Sequence, residues 1–377
     1  MRNLLVGNGI NIQFDPQSYT TKQIILRILK NCDRDDFPSH IIINDPYLMK
    51  NYIGRLFLEA REVLKGEYDS YTHSSAEKEA LTSFKEQYTK NLETLKITDI
   101  GFEDYYLIHD LVCHKTNTVN PEQYQIRESM RVAYLLSIYN DGMLDELHKM
   151  YPLSLIEYLQ SFDSIFTTNY DSNIDSVVNN EVYHIHGWFR QKEAVYDAES
   201  FRNQLPDAPI KNTTIDENYY YLYSNALTTH CGAYKEFQLK QHSYANEAIK
   251  KLAVAYQTNP QVKNDVDSWI VDPNHIVANM GYAVKLKIEN PSLTFIDNYH
   301  FDKLSIIKGK LEILGLSPWN DFHIFETIDK SNLEKCIYYY FSEEQRDKVQ
   351  NILPNLSKKG ALHFYPLKEF WRNIYEN

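Results

Sequence analysis

The strongest constraint on this chain is its opening. Leu4-Leu5-Val6 is a short apolar run that stops at Gly7, and Asn8-Gly9-Ile10-Asn11 follows it. An apolar run of this length ended by glycine reads as a buried strand. Residues 20–31 then carry Ile24, Ile25, Ile28 and Leu29 at helical spacing. Strand, glycine turn and helix in that order open an α/β nucleotide-binding unit. Three further strand candidates lie far along the chain: Ser164–Thr168, Glu181–His186 and Lys310–Leu314, the last ended by Gly315. Between them the periodicity is helical, over roughly 45–160, with a break at Pro152, and again over 200–282, where Tyr244–Tyr256 is clearest. The tail from Phe322 is mixed, with short apolar runs at Phe322–Phe325 and Cys336–Phe341. The expected architecture is α/β: a Rossmann-like parallel sheet with large helical insertions, forming one composite domain over 1–377.

Composition narrows the function classes. Hydrophobic residues at 43% and charged residues at 24% suit a globular protein, and the low Gly and Pro content argues against disorder. A formal charge of −12 repels phosphate backbones, so direct nucleic-acid binding is not expected. No apolar run reaches spanning length and the first one is too short for a signal peptide, which points to a cytoplasmic, soluble protein. Cys32, Cys113, Cys231 and Cys336 contain no close pair, so neither a zinc ribbon nor a disulfide framework is expected. No P-loop motif is present.

Four motifs carry chemistry. Gly7-Asn8-Gly9 would let backbone approach a pyrophosphate, with backbone N–H groups and a helix N-terminus meeting its charge; a tight turn uses the same residues. Thr167-Thr168-Asn169-Tyr170-Asp171 stands at a strand end, where ligands of open α/β sheets sit. Asn169 and Asp171 there suit a carboxamide and a ribose, although an Asx turn is the plainer use of such residues. In His184-Ile185-His186-Gly187, alternation puts both histidines on one face. No third ligand follows from spacing, so no metal is expected, and His186 before a glycine is better placed as a general base than in a metal pair. Gly315-Leu316-Ser317-Pro318 follows a strand and suits close approach to ribose or phosphate. Asn320-Asp321 reads as turn, Tyr219–Tyr223 as core or an oligomer surface, and Lys22, Arg27 and Lys30 as a solvated helix face.

The order of these motifs resembles the sirtuin fold, in which the same four elements line one NAD pocket. The closest resemblance is to sirtuin-like proteins of bacterial antiphage defence, such as those of Thoeris and of systems pairing a sirtuin-like subunit with a HerA-type ATPase. The stretch Leu-Gly-Leu-Ser-Pro-Trp-Asn-Asp is especially similar. The resemblance covers the α/β core and implies roles for matching residues. Gly7, Asn8, Gly9, Ile10 and Asn11 would form the nucleotide loop, and Thr168, Gly187, Gly315 and Ser317 would also contact NAD. Asn169, Asp171 and His186 would be catalytic. Two departures argue against protein deacylation: the paired zinc cysteines are missing, and Phe14 is followed by Asp15-Pro16 rather than arginine.

The function this implies is an NAD+ glycohydrolase that depletes NAD in abortive defence, held in check by homo-oligomerisation or a separate HerA-type ATPase. Its rivals are a non-hydrolysing NAD or ADP-ribose sensor, a deacylase or ADP-ribosyltransferase, and a toxic effector of AbiH type, a group that also begins with Gly-Asn-Gly.

Overall fold

The computed structural model describes residues 1–41, 45–119, 122–191, 216–226, 232–293, 299–319 and 321–376. Six strands, β1 (Arg2–Val6), β2 (Ser164–Thr167), β3 (Val182–His184), β4 (Lys308–Leu314), β5 (Asn332–Tyr340) and β6 (Leu362–Pro366), form one sheet. All neighbours are parallel, in the order β3-β2-β1-β4-β5-β6. This is the strand order of doubly wound sheets, which bind ligands where the order reverses, outside the carboxyl ends of the strands. Here the reversal falls between β1 and β4.

Burial on both faces explains why β1 is a continuous apolar run. Leu4, Leu5 and Val6 are fully buried, and alternate residues serve opposite faces. Leu5 packs with Phe166, Ile313, Ile324 and Phe325 beneath the helix Phe322–Asp329. Leu4 and Val6 pack with Leu155, Leu159 and Trp371, from the helices Leu153–Gln160 and Leu367–Glu376.

The expected strands at 4–6, 164–167 and 310–314 are present, but the sheet does not end at Leu314. β5 alternates between exposed and buried positions over its first half, ahead of its apolar run, and β6 is an edge strand with no fully buried residue. Of the two short apolar runs in the tail, Phe322–Phe325 opens a helix and Cys336–Phe341 falls largely in β5. β3 is shorter than expected: regular pairing stops at His184, although Ile185 N still donates to Thr167 O at 2.9 Å.

The first insertion contains the helices Pro46–Lys65, Ser75–Tyr88, Asp104–Thr116 and Glu122–Tyr139. It shares a core with the helix Thr21–Asn31. Pro152 caps the helix Leu153–Gln160, and the expected helix before it is a 3-10 segment, Met143–Met150. In the second insertion, residues 200–215 lie outside the described residues. Gly232–Thr258, Pro260–Trp269 and His275–Glu289 are helical and share a small core around Ile249, Val266 and Val284.

Tyr221, Leu222 and Tyr223 are buried, so this end of the tyrosine run is core. Arg27 is not part of a solvated face: its guanidinium donates to Ser18 O and Ser137 O, tying its helix to the first insertion. Cys32, Cys113 and Cys336 are buried and unpaired, while Cys231 lies outside the described residues. Among the described residues, no helix is long and apolar enough to cross a membrane.

Candidate functional site

A cavity of about 760 Å³ opens at the carboxyl ends of β1, β2 and β4, within the roughly 300–1,000 Å³ usual for small-molecule sites. Its floor is a seam between two loops. Gly7 N donates to Leu314 O at 2.9 Å and Gly9 N to Gly315 O at 2.8 Å. A Cβ on Gly7 would lie 2.6 Å from Gly315 O, and one on Gly9 2.5 Å from Gly315 Cα. Gly315 itself has φ +68. Glycine is required at these positions because two backbones touch.

That modifies the expected phosphate-loop role. The N–H groups of Gly7 and Gly9 are engaged within the protein rather than open to a pyrophosphate. Gly9, Asn8, Asn11, Gly315 and Ser317 line the cavity. Gly7 lies behind the seam, and Ile10 points into the core with Leu4 and Val6. The helix Gly9–Phe14 that follows is 6 residues long, under two turns.

The end of β2 holds its residues by backbone. Thr168 N donates to Val6 O at 3.0 Å, and Asn169 N to Thr167 Oγ1 at 3.0 Å. Asn169 O contacts His184 Nδ1 at 3.0 Å. The Asn169 main chain is therefore fixed at both ends, while its side-chain Nδ2 and Oδ1 are buried with no protein partner. Two residues on, Asp171 Oδ2 accepts from Asn11 Nδ2 at 2.7 Å, and Oδ1 accepts from Asn173 N and Nδ2. Burial raises the Asp171 carboxyl above its ordinary range, and the bonds from Asn11 and Asn173 pull it back. Asn11 Oδ1 is a further buried atom without a partner. Thr168, Asn169, Asp171 and Asn11 all line the cavity.

The two histidines of β3 diverge. His184 is structural: besides Asn169 O it bonds Asp175 at 3.1 Å and stacks on Trp188. His186, in the turn beyond the strand, lines the cavity. Gly187 does not; it has φ +85, and its position against Asn225 O leaves no room for a Cβ. His186 Nε2 lies 3.2 Å from His323 Nε2 and 3.7 Å from Asp321 Oδ1. Both imidazoles are held well below the usual histidine range, by burial first and by nearby Lys235 second, so both are uncharged. Asp321, expected in a turn, is buried at this point and its carboxyl is pushed up to about 6. Asn320 lies outside the described residues.

The opposite wall comes from the first insertion: Gly101, Phe102, Glu103, Ile138 and Leu144. Glu103 is part-buried and accepts from Lys235 Nζ at 3.2 Å, and Lys235 is fully buried. Burial pushes the Glu103 carboxyl up to about 7 against the pull of Lys235. Sequence reasoning missed Glu103, Lys235, Asp321 and His323. The last two had one usable signal: they follow the end of β4, on the rim where ligands of such sheets sit. Glu103 and Lys235 stand alone in helical stretches, with no local pattern to mark them.

The combination is a doubly wound parallel sheet with a cavity at its switch point that carries unpartnered amide atoms, a hydrogen-bonded carboxylate and an uncharged histidine pair. No protein-family model, curated protein or solved structure matches this chain.

Proposed function

We propose that the chain has a sirtuin-like core and hydrolyses NAD+ at the bond between nicotinamide and ribose. The observation that carries this reading is the side chain of Asn169. A buried amide lacking both donor and acceptor partners costs about 1–3 kcal/mol, and a ligand with complementary groups removes that cost. The nicotinamide carboxamide and the ribose hydroxyls are such groups.

The reaction follows from the chemistry of the bond. The C1′–N bond breaks with its electron pair going to nicotinamide, which leaves neutral and needs no acid. The ribose carbon becomes oxocarbenium-like, as in glycoside hydrolysis. Asp171, oriented by Asn11 and Asn173, would accept from a ribose hydroxyl, and its negative charge favours the cationic transition state. Water then adds at C1′ and loses a proton to His186, whose uncharged ring is able to take one. NAD+ and water give nicotinamide, ADP-ribose and a proton. The missing zinc cysteines favour water over an acylated protein as acceptor.

In this reading the activity depletes NAD in antiphage defence and is restrained by self-assembly or by a separate ATPase. The test is purified protein with NAD+ and no acceptor protein, with and without candidate partners, followed by nicotinamide release. Asn169→Ala and His186→Ala should each lower release by roughly 10²–10⁴-fold. Because the Asn169 amide bonds nothing in the protein, Asn169→Ala should leave the melting temperature unchanged or raised. Release that survives both substitutions rejects the assignment; nucleotide binding without release would make the chain a sensor.

A further inference from the structure

We propose that His186, His323 and Asp321 form a binding site for a divalent first-row transition ion at the inner end of the cavity. Two imidazole Nε2 atoms 3.2 Å apart cannot face each other with both lone pairs bare, so either an N–H hydrogen of one neutral ring or a metal ion must lie between them. A proton satisfies only the two nitrogens and leaves Asp321 Oδ1 at 3.7 Å, beyond hydrogen-bond length. A metal ion engages all three. Two nitrogens bound to one tetrahedral ion at ~2.0–2.1 Å lie roughly 3.3–3.4 Å apart, close to the separation here. The three ligand atoms lie within 4.8 Å of one another and all three residues are buried.

The donor set selects the ion. Two imidazoles and one carboxylate favour Zn2+, Co2+ or Fe2+ over Mg2+ or Ca2+, which take oxygen. His186 and Asp321 line the cavity, which gives the ion a path in and leaves a coordination position open towards it. Lys235 is the charge that opposes binding, and Glu103 at 3.2 Å compensates it, so the Asp321 carboxylate remains to offset the ion. His323 enters from the helix after β4, 137 residues from His186, which is why spacing in the sequence gave no third ligand.

One consequence rests on the hydrolysis proposed above: an ion on Nε2 leaves the other ring nitrogen protonated, so His186 no longer serves as a base and the loaded protein is inactive. The site itself does not depend on that reading, and its test needs no NAD+. Chelator-treated full-length protein is titrated with Co2+ and followed by the visible absorption of the ion. Saturation should occur at one equivalent, be displaced by Zn2+, and resist millimolar Mg2+. His323→Ala and Asp321→Asn should each weaken Co2+ binding at least tenfold. Asp321→Asn carries the reading if the His323 variant does not fold, since its side chain borders the cavity. His73→Ala is the control, because His73 and His114 stack 3.7 Å apart as a rival imidazole pair. Co2+ binding that is absent, or that follows His73 and ignores Asp321, overturns the site.

Discussion

The strand-end wall of the cavity and the wall supplied by the helical insertions hold their polar groups by different means. At the strand ends, main chain is what is held: Gly7 and Gly9 bond the β4 strand end and loop, and the side chains of Thr167 and His184 fix the Asn169 backbone. The side chain of Asn169 is thereby positioned without being used up. Across the cavity, Glu103 and Lys235 hold each other, and the fully buried Lys235 has its charge met by the part-buried Glu103. The first wall keeps side-chain bonding capacity in reserve, whereas the second has committed it to the fold. Substitutions of unpartnered side chains on the first should therefore change activity more than stability, and substitutions of the ion pair on the second the reverse.

The largest stability effect is expected on the second wall. Lys235→Met leaves the part-buried Glu103 without its cation, and breaking such a pair costs up to about 3–5 kcal/mol. The loss should depend on pH. Glu103 has a folded pKa of about 7, above its ordinary carboxylate value, so its contribution is present at low pH and lost as pH rises through that value. Removing Lys235 raises it further, so the variant should lose stability between pH 6 and pH 8 more steeply than the parent. Urea midpoints across that range measure it. Replacing both residues, Glu103→Leu with Lys235→Met, should recover most of the loss. A double variant no better than the single would mean that the pair is not what the insertion wall depends on.

The same contrast explains what could be read from the sequence. Strand ends are marked locally: an apolar run, then Gly7, Thr168-Asn169 or Gly315, gives both the element and the position of the ligand relative to it. The cavity-lining placement of Asn8, Gly9, Asn11, Asn169, Asp171, His186 and Ser317 was therefore legible. The engagement of the Gly7 and Gly9 N–H groups was not, because their partner loop is some 300 residues away and a glycine turn looks alike whether it meets a phosphate or another backbone. β6 was illegible because an edge strand need not be apolar. Glu103 and Lys235 were illegible because an ion pair between a helix-capping turn and a distant helix leaves no periodic trace.

The insertion core offers a smaller effect with the opposite pH direction. His109 is fully buried, with Nδ1 2.7 Å from Tyr52 Oη and Nε2 3.1 Å from Gln123 O. A neutral ring satisfies both contacts, accepting from Tyr52 and donating to Gln123. Burial pushes its pKa down to about 4. Since the unfolded chain takes a proton near pH 6.5, stability contributed by the neutral ring is complete above that value and lost as pH falls towards 4, on the order of 3 kcal/mol in all. Hydrogen exchange at pH 5 against pH 7 should show the helices Pro46–Lys65 and Asp104–Thr116 opening before β1 and β4. His109→Gln should remove that difference between the two pH values. Sheet amides opening first would assign the acid sensitivity elsewhere.

The seam and the insertion can also be compared with one methyl group each. At Gly9 an added Cβ meets Gly315 Cα at 2.5 Å and Gly315 O at 2.9 Å, all backbone, so the two loops must part for Gly9→Ala to fit. Overpacking of this kind costs about 1–3 kcal/mol. It should also shift Asn8 and Asn11, so nicotinamide release should fall with stability. Gly54 lies within the helix Pro46–Lys65, and its added Cβ meets nothing within 4 Å. Gly54→Ala should therefore stabilise by roughly 0.5–1 kcal/mol, because alanine loses less backbone freedom in a helix than glycine. Denaturant midpoints of the two variants should move in opposite directions, and activity should change only for Gly9→Ala. If Gly9→Ala were neutral in both, the loops would not be in contact and the Gly9 N–H would be open to a phosphate after all.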